Sequence, residues 1–217
     1  MKSKRVGILI GLAVVLVAIG VVAAIWLYTQ ARLYVSTDDA YVDGRQLVIG
    51  APASGKVVDW SGYVGTTFDA GSTVGSIQTQ MGSATSDVSI PVPTNATIVE
   101  RSAVDNEFVS AGTPLAYAYD MNDLWVTADI NETDLSSLKL GDKVDVRVAA
   151  YPNMPLHGKI EQIGLATANM FSLLPSSSNN ANFTQVNQVV PVKISIQGYQ
   201  GWGLVPGLSV TVQIHLQ

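Results

Sequence analysis

The chain has 217 residues, 47% of them apolar, no cysteine and a net charge of −5. That length holds one or two small folded units beside a membrane segment. The missing cysteine excludes disulfides, thiolate metal sites and a cysteine-linked lipid anchor, and the acidic balance argues against nucleic acid or anionic lipid as a partner surface.

Lys2, Lys4 and Arg5 open the chain, and the 22 residues Val6 to Leu27 carry no charge. As a helix this run is about 33 Å long, against a bilayer core of about 30 Å. Trp26 and Tyr28 stand at its far end, where amphipathic aromatics favour the headgroup zone. No acidic residue occurs before Asp38, so the positive-inside rule keeps residues 1–5 cytoplasmic and sends the rest across. A cleaved signal peptide is the rival reading, with a shorter apolar region and a small-residue cleavage site. Bulky Trp26, Leu27 and Tyr28 after Ala23-Ala24 favour an uncleaved span over 6–28. The anchor's ends are then Lys2, Lys4 and Arg5 inside and Trp26 and Tyr28 outside. Beyond the span, nine basic residues face 17 acidic ones, a balance of −8 that serves solubility.

Residues 29–45 read as a connector and a first strand toward a barrel. After it, short runs of Val, Ile, Thr and Tyr are punctuated by Gly, Pro, Asn and Asp, the pattern of many short strands. Sliding the chain by 41 residues puts Pro52 on Pro93, Val57 on Ile98, Asp59 on Glu100, Ser61 on Ser102 and Val74 on Leu115. Ala70-Gly71 falls on Ala111-Gly112. The copies, 46–79 and 87–120, each read strand, turn, strand, turn, strand. Neither can bury two faces alone, so the duplication predicts a small β-sandwich over 46–120.

A second unit covers 121–217. Leu124, Val126, Ala128 and Ile130 share one side of a strand. Asn131 is placed to cap a helical turn over Glu132–Leu138. Val144, Val146 and Val148 alternate with more polar or smaller residues. Further strands are expected over His157–Ala166, Val189–Ile196 and Leu208–Leu216, with Pro206-Gly207 as the turn before the last. Four or more antiparallel strands and one short helix predict a small β-barrel. The fold class is therefore mainly β, with an N-terminal transmembrane helix, a β-sandwich and a barrel. Residues 167–187 form a long loop with an apolar lip, Phe171, Leu173 and Leu174, before the polar run Ser176–Asn180. Loops of that length are functional or disordered.

Catalytic chemistry finds little support. The two histidines, His157 and His215, stand in no catalytic or metal-ligand spacing and read as strand-edge or solvated groups. Asp38-Asp39 falls short of a calcium cage, which takes six or more oxygens, so the pair reads as hydrogen-bonding groups where the chain leaves the membrane. No glycine loop for phosphate is present. No enzyme activity, metal or cofactor is expected. Trp125 and Trp60 read as core residues. Trp202, beside glycines, is balanced between core and an exposed contact.

The segment Thr37-Asp38-Asp39-Ala40-Tyr41-Val42 follows the anchor, and Ala51-Pro52-Ala53-Ser54-Gly55-Lys56-Val57 opens the first half-motif. Asn122-Asp123-Leu124-Trp125-Val126, Asn131-Glu132-Thr133-Asp134-Leu135, Phe171-Ser172-Leu173-Leu174-Pro175, Val190-Pro191-Val192-Lys193-Ile194 and Pro206-Gly207-Leu208-Ser209-Val210 follow in order. Together these motifs resemble the EmrA-like branch of the HlyD-type membrane fusion proteins, the periplasmic adaptor subunits. The resemblance implies a biotinyl/lipoyl-like domain at 46–120 and a membrane-proximal barrel at 121–217. It also implies a role in efflux of toxic compounds beside an inner-membrane transporter, commonly of the major facilitator type, and self-association into a ring. A swinging-arm carrier is not expected, because the hairpin Thr79–Ser89 has no lysine to take a cofactor.

One departure stands out. Family members carry a coiled-coil hairpin between the two halves, whereas residues 80–86 alone join them here. That leaves docking to an outer-membrane channel doubtful. The expected contacts are lipid through the anchor, and a transporter or the membrane surface through Phe171, Leu173, Leu174 and Trp202; no nucleic acid is expected. The alternatives are a ligand-binding or sensing module near the membrane and a structural envelope protein.

Overall fold

The computed structural model describes residues 17–22, 34–81, 84–168 and 188–216. Residues 17–22 are helical (α1). Twelve strands and one four-residue helix follow: β1 (Tyr34–Gly50), β2 (Gly55–Val58), β3 (Thr67–Phe68), β4 (Thr73–Met81), β5 (Ala84–Pro91), β6 (Ala96–Arg101), β7 (Phe108–Val109), β8 (Pro114–Asn131), α2 (Glu132–Leu135), β9 (Lys143–Val148), β10 (Leu156–Ile163), β11 (Val189–Gln197) and β12 (Ser209–His215). The chain divides into two compact units. One holds Met1–Ala40, Thr127–Ser195 and Ser209–Gln217; the other holds Tyr41–Val126 and Ile196–Leu208. Strands β1 and β8, at 17 and 18 residues, supply both.

In the unit built on Tyr41–Val126 the 41-residue offset is visible in the hydrogen bonds. The Gly65 N–H donates to the Ile98 carbonyl at 2.8 Å; its image is Asn106 N–H to the Val57 carbonyl at 2.9 Å. Gly71 to Val92 (2.7 Å) repeats as Gly112 to Ala51 (2.8 Å), and Ser61 to Val74 (2.8 Å) as Ser102 to Leu115 (2.9 Å). Side chains join in. Ala70 N–H donates to Asn95 Oδ1 at 2.8 Å, and Ala111 N–H to Ser54 Oγ at 3.0 Å. Gly65 and Asn106 both take positive φ, +88° and +70°, a conformation that glycine adopts freely and asparagine tolerates.

The two halves also exchange strands. β2 of the first half pairs with β7 of the second, Gly55 facing Val109 and Lys56 facing Phe108. β3 of the first half pairs with β6 of the second, Phe68 facing Ala96 and Thr67 facing Thr97. Each register is the other's image. Neither half completes a sheet without its copy, which explains why the sequence carries both. The β5-β4-β2-β7 sheet faces a core drawn from both halves, with Ile49 and Ile90, Val57 and Ile98, and Val74 and Leu115 as equivalent pairs.

The copies differ where Trp60 stands against Arg101. Trp60 is buried, and its indole N–H donates to the Gly62 carbonyl at 3.0 Å. Arg101 Nε donates to the Ala103 carbonyl at 2.6 Å, the same bond made by a different side chain. The large indole is accommodated by small neighbours. A Cβ at Gly62 would lie 2.7 Å from Trp60 Cζ2, and one at Gly75 would lie 3.2 Å from Cε3. In the second copy the corresponding residues are Ala103 and Ala116, both buried, and Arg101 stays half-exposed.

Residues 196–208 pack into the same unit through Tyr199, which is buried. Its hydroxyl accepts the Leu124 N–H at 2.8 Å, and burial above all pushes the phenol pKa up. Tyr199→Phe strands that buried N–H, at a cost of about 1–3 kcal/mol. The expected result is a lower urea midpoint with an unchanged slope; an unchanged midpoint would show the donor finds water instead.

The other unit is a closed six-stranded barrel in the order β1-β12-β9-β10-β11-β8, with β1 pairing back onto β8. Period-two alternation builds it, since successive strand residues point to opposite faces. Val144, Val146 and Val148 on β9, Val210, Val212 and Ile214 on β12, and Val190, Val192 and Ile194 on β11 fill the interior. Leu124 and Val126 are buried on β8, so Trp125 lies on the opposite side and is only half-buried, not the core residue the sequence suggested. The helix is shorter than the expected Glu132–Leu138, and the Asn131 side chain makes no capping bond. The Glu132 N–H, at the first helical position, donates to the carbonyl of Gln188, the residue before β11, at 3.0 Å.

Candidate functional site

Three neighbouring barrel strands bring both histidines onto one carboxylate. Asp145 on β9 lies opposite His157 of β10 and Gln213 of β12. Its Oδ1 is 2.9 Å from His157 Nδ1, and its Oδ2 is 2.8 Å from His215 Nε2. Tyr34 stands edge-on to the His215 ring, with centroids 4.9 Å apart. The two histidines were read as strand-edge or solvated, and His157 is largely exposed, at 78% of its side chain. What the sequence did not reveal is their shared partner, 12 and 70 residues away. The carboxylate thereby clasps three neighbouring strands. Among the described residues no three-ligand cluster of His, Asp or Glu could hold a metal.

The bond to His215 is the largest cause that holds the Asp145 carboxyl below its usual value near 3.8, with His157 helping and burial opposing. A carboxyl with a lowered folded pKa stabilises the protein above its unfolded pKa. That stabilisation disappears as pH falls through the folded pKa. Asp145→Asn is therefore expected to lower Tm at pH 7, by a margin that shrinks as pH falls through the lowered folded pKa. A margin independent of pH would assign the effect to packing.

The Thr37-Asp38-Asp39 segment helps close the barrel. The Thr37 hydroxyl donates to the Asp129 carbonyl on β8 at 3.2 Å and accepts the Asp39 N–H at 3.0 Å. Both Asp38 and Asp39 are exposed. Burial, then the Asp39 charge, pushes the Asp129 carboxyl up. These groups repel one another and form no cation cage.

Of the residues expected to make contacts, Trp202 lies half-buried in the 196–208 segment, its N–H donating to the Tyr199 carbonyl at 3.1 Å. Phe171, Leu173 and Leu174 lie outside the described residues, as do Lys2, Lys4, Arg5, Trp26 and Tyr28. Within the expected span, α1 exposes Val17, Ile19, Val21 and Val22. Among the described residues no helix is long and apolar enough to cross a membrane. The β4–β5 hairpin pairs continuously from Gly75–Ile90 to Met81–Ala84 and presents no lysine.

Residues 123–215 match the AAEA-like beta-barrel domain. Over 185 residues the chain is 40% identical to the provisionally named efflux system component YhbJ of Bacillus subtilis, covering 85% of this chain and 81% of that protein. The chain belongs to the EmrA-like membrane fusion proteins. A second member, the colistin resistance protein EmrA of Acinetobacter baumannii, is 36% identical over 110 residues. That match covers 50% of this chain but only 31% of the longer relative. The membrane fusion protein Spr0693 of Streptococcus pneumoniae has the same fold, with a TM-score of 0.58 at 15% identity, covering 85% of this chain and 99% of that one.

Proposed function

We propose that this chain is a membrane-anchored, non-enzymatic adaptor that supports export of toxic compounds by a partner transporter. The observation that carries the reading is the 40% identity spanning 81% of an efflux system component. In this reading residues 6–28 span the inner membrane with Lys2, Lys4 and Arg5 on the cytoplasmic side. The barrel and the duplicated, lipoyl-like unit stand outside. Copies associate into a ring through two different surfaces, as a head-to-tail contact requires. The transporter is of the major facilitator type, and Phe171, Leu173, Leu174 and Trp202 meet it or the membrane surface. Where longer relatives carry a helical hairpin, this chain has only residues 80–86 between its two halves, so no outer-membrane channel is included.

The test is affinity purification of the tagged full chain from mild detergent. Recovery of a multi-span transporter is expected. Recovery of none, across several detergents and after crosslinking in cells, would sink the adaptor reading. Exchanging Phe171, Leu173 and Leu174 for serine should lower the yield; an unchanged yield would remove the loop from the contact and leave the adaptor standing.

A further inference from the structure

Among the described residues of the barrel, Leu165, Leu140 and Met154 are the large apolar side chains left exposed, at 103%, 67% and 40%. Leu140 lies in the turn before β9 and Leu165 follows the end of β10. The antiparallel pairing of these strands puts both leucines at one end of the barrel. The same end receives the chain from its N-terminal side. His215 faces Lys143 across the β12–β9 pair, and Tyr34, where β1 begins, stands against the His215 ring. Met154 lies between β9 and β10 at the opposite end, about 20 Å away along a six-residue strand.

Braced backbone holds both leucines outward. The Lys139 N–H donates to Oδ2 of the buried Asp142 at 2.8 Å. Gly141 N–H donates to the Ile160 carbonyl at 2.9 Å, and Ile160 N–H donates to the Asp142 carbonyl at 3.0 Å. Gly141 takes a φ of +88°, which closes the turn and leaves Leu140 outside it. After β10, Gly164 N–H donates to the Pro191 carbonyl at 2.9 Å, and a Cβ on Gly164 would lie 2.7 Å from that oxygen. Leu165 therefore leaves from a backbone pinned against β11. Side chains presented this way lose little freedom when a surface covers them.

We infer that this end of the barrel rests on a zwitterionic lipid surface, with Leu140 and Leu165 buried in its headgroup zone. The inference rests on the membrane-anchored reading. With residues 6–28 in the bilayer, Tyr34 is six residues beyond Tyr28, so β1 begins within about 20 Å of lipid. That reach brings the exposed leucines to the one apolar medium at hand, and their burial there is favourable. Charge selects the headgroup. Thr37 of β1 bonds to Asp129 of β8 near this end, where Asp38, Asp39 and Glu132 are exposed. These acids outnumber Lys139 and Lys143, so anionic lipid gains no attraction.

The chain has no cysteine, so one introduced thiol takes a fluorophore cleanly. The test uses the full chain in phosphatidylcholine nanodiscs, with part of the lipid carrying a doxyl quencher near the headgroup end of its acyl chain. A label at Lys143→Cys keeps both leucines and should lose about half its emission or more, whereas a label at Met154→Cys should lose almost none. Adding Leu140→Ser and Leu165→Ser to the Lys143→Cys chain should return its quenching to the Met154 level, with the unfolding midpoint of each variant checked. Replacing a third of the lipid by phosphatidylglycerol should not deepen the quenching. A chain that stays in the disc while its Lys143 label is quenched no more than the Met154 label overturns the seat and leaves the span standing. Quenching unchanged by the two serines overturns the role of the leucines, since the tether alone would then account for it. Deeper quenching with phosphatidylglycerol overturns the headgroup class. Failure of the chain to enter the disc overturns the span, and the seat with it.

Discussion

Trp60→Ala is expected to destabilise the duplicated unit by about 3–5 kcal/mol, the range for removing a buried aromatic side chain. The indole is 4% exposed and packs in a core shared by both halves. Glycines at 62 and 75 leave the room it fills, and neither can move a side chain into the void. The loss also strands the bond to the Gly62 carbonyl. Trp60→Phe keeps part of the volume and none of the bond, so a smaller loss is expected. Arg101→Ala, at the equivalent position of the other copy, should cost less still, since that side chain is 26% exposed. Urea unfolding of the three variants reads the order directly. A Trp60→Ala loss below about 1 kcal/mol, the size of an ordinary surface change, would contradict the packing described.

Gly158→Val is expected to open the barrel. Gly158 lies on β10, between β9 and β11, facing Val144 in register. A Cβ there would collide with the Ser195 carbonyl oxygen of β11 and come within 2.9 Å of Ile194 Cγ2. The colliding atom is backbone, so no rotamer change relieves it. Overpacking of this kind costs about 1–3 kcal/mol, and the displaced β11 carries three of the buried barrel residues, Val190, Val192 and Ile194. Gly20, in α1, meets nothing within 4 Å, so an alanine there is the fitting control. The expected result is a clear fall in Tm for the Gly158 variant alone; equal melting of the two would refute the close approach.

Much of the fold was legible because its cause is periodic. Val144, Val146 and Val148 alternate in the sequence and are buried in the structure. The 41-residue offset was readable from apolar positions and from Ala-Gly pairs at turns. The strand exchange was not, because β3 and β7 are two residues each and carry no period of their own. Equivalent bonds made by unlike side chains were hidden too: Asn95 and Ser54 hold matching N–H groups, and Trp60 and Arg101 matching carbonyls. The Asp145 clasp needed strand order, since His215 reaches it from 70 residues away. The capping role given to Asn131 followed a sound local rule, yet its side chain makes no bond to the helix.

The central claim is that this chain works for a transporter in export. The most direct measurement is ethidium accumulation in host cells lacking the chain, in cells restored with the full chain, and in cells restored with a version whose residues 6–28 are replaced by an unrelated span. Accumulation should rise on deletion and return to normal with the full chain only while the partner transporter is present. Equal accumulation with and without the chain, across ethidium and a panel of chemically distinct toxic compounds, would contradict the account.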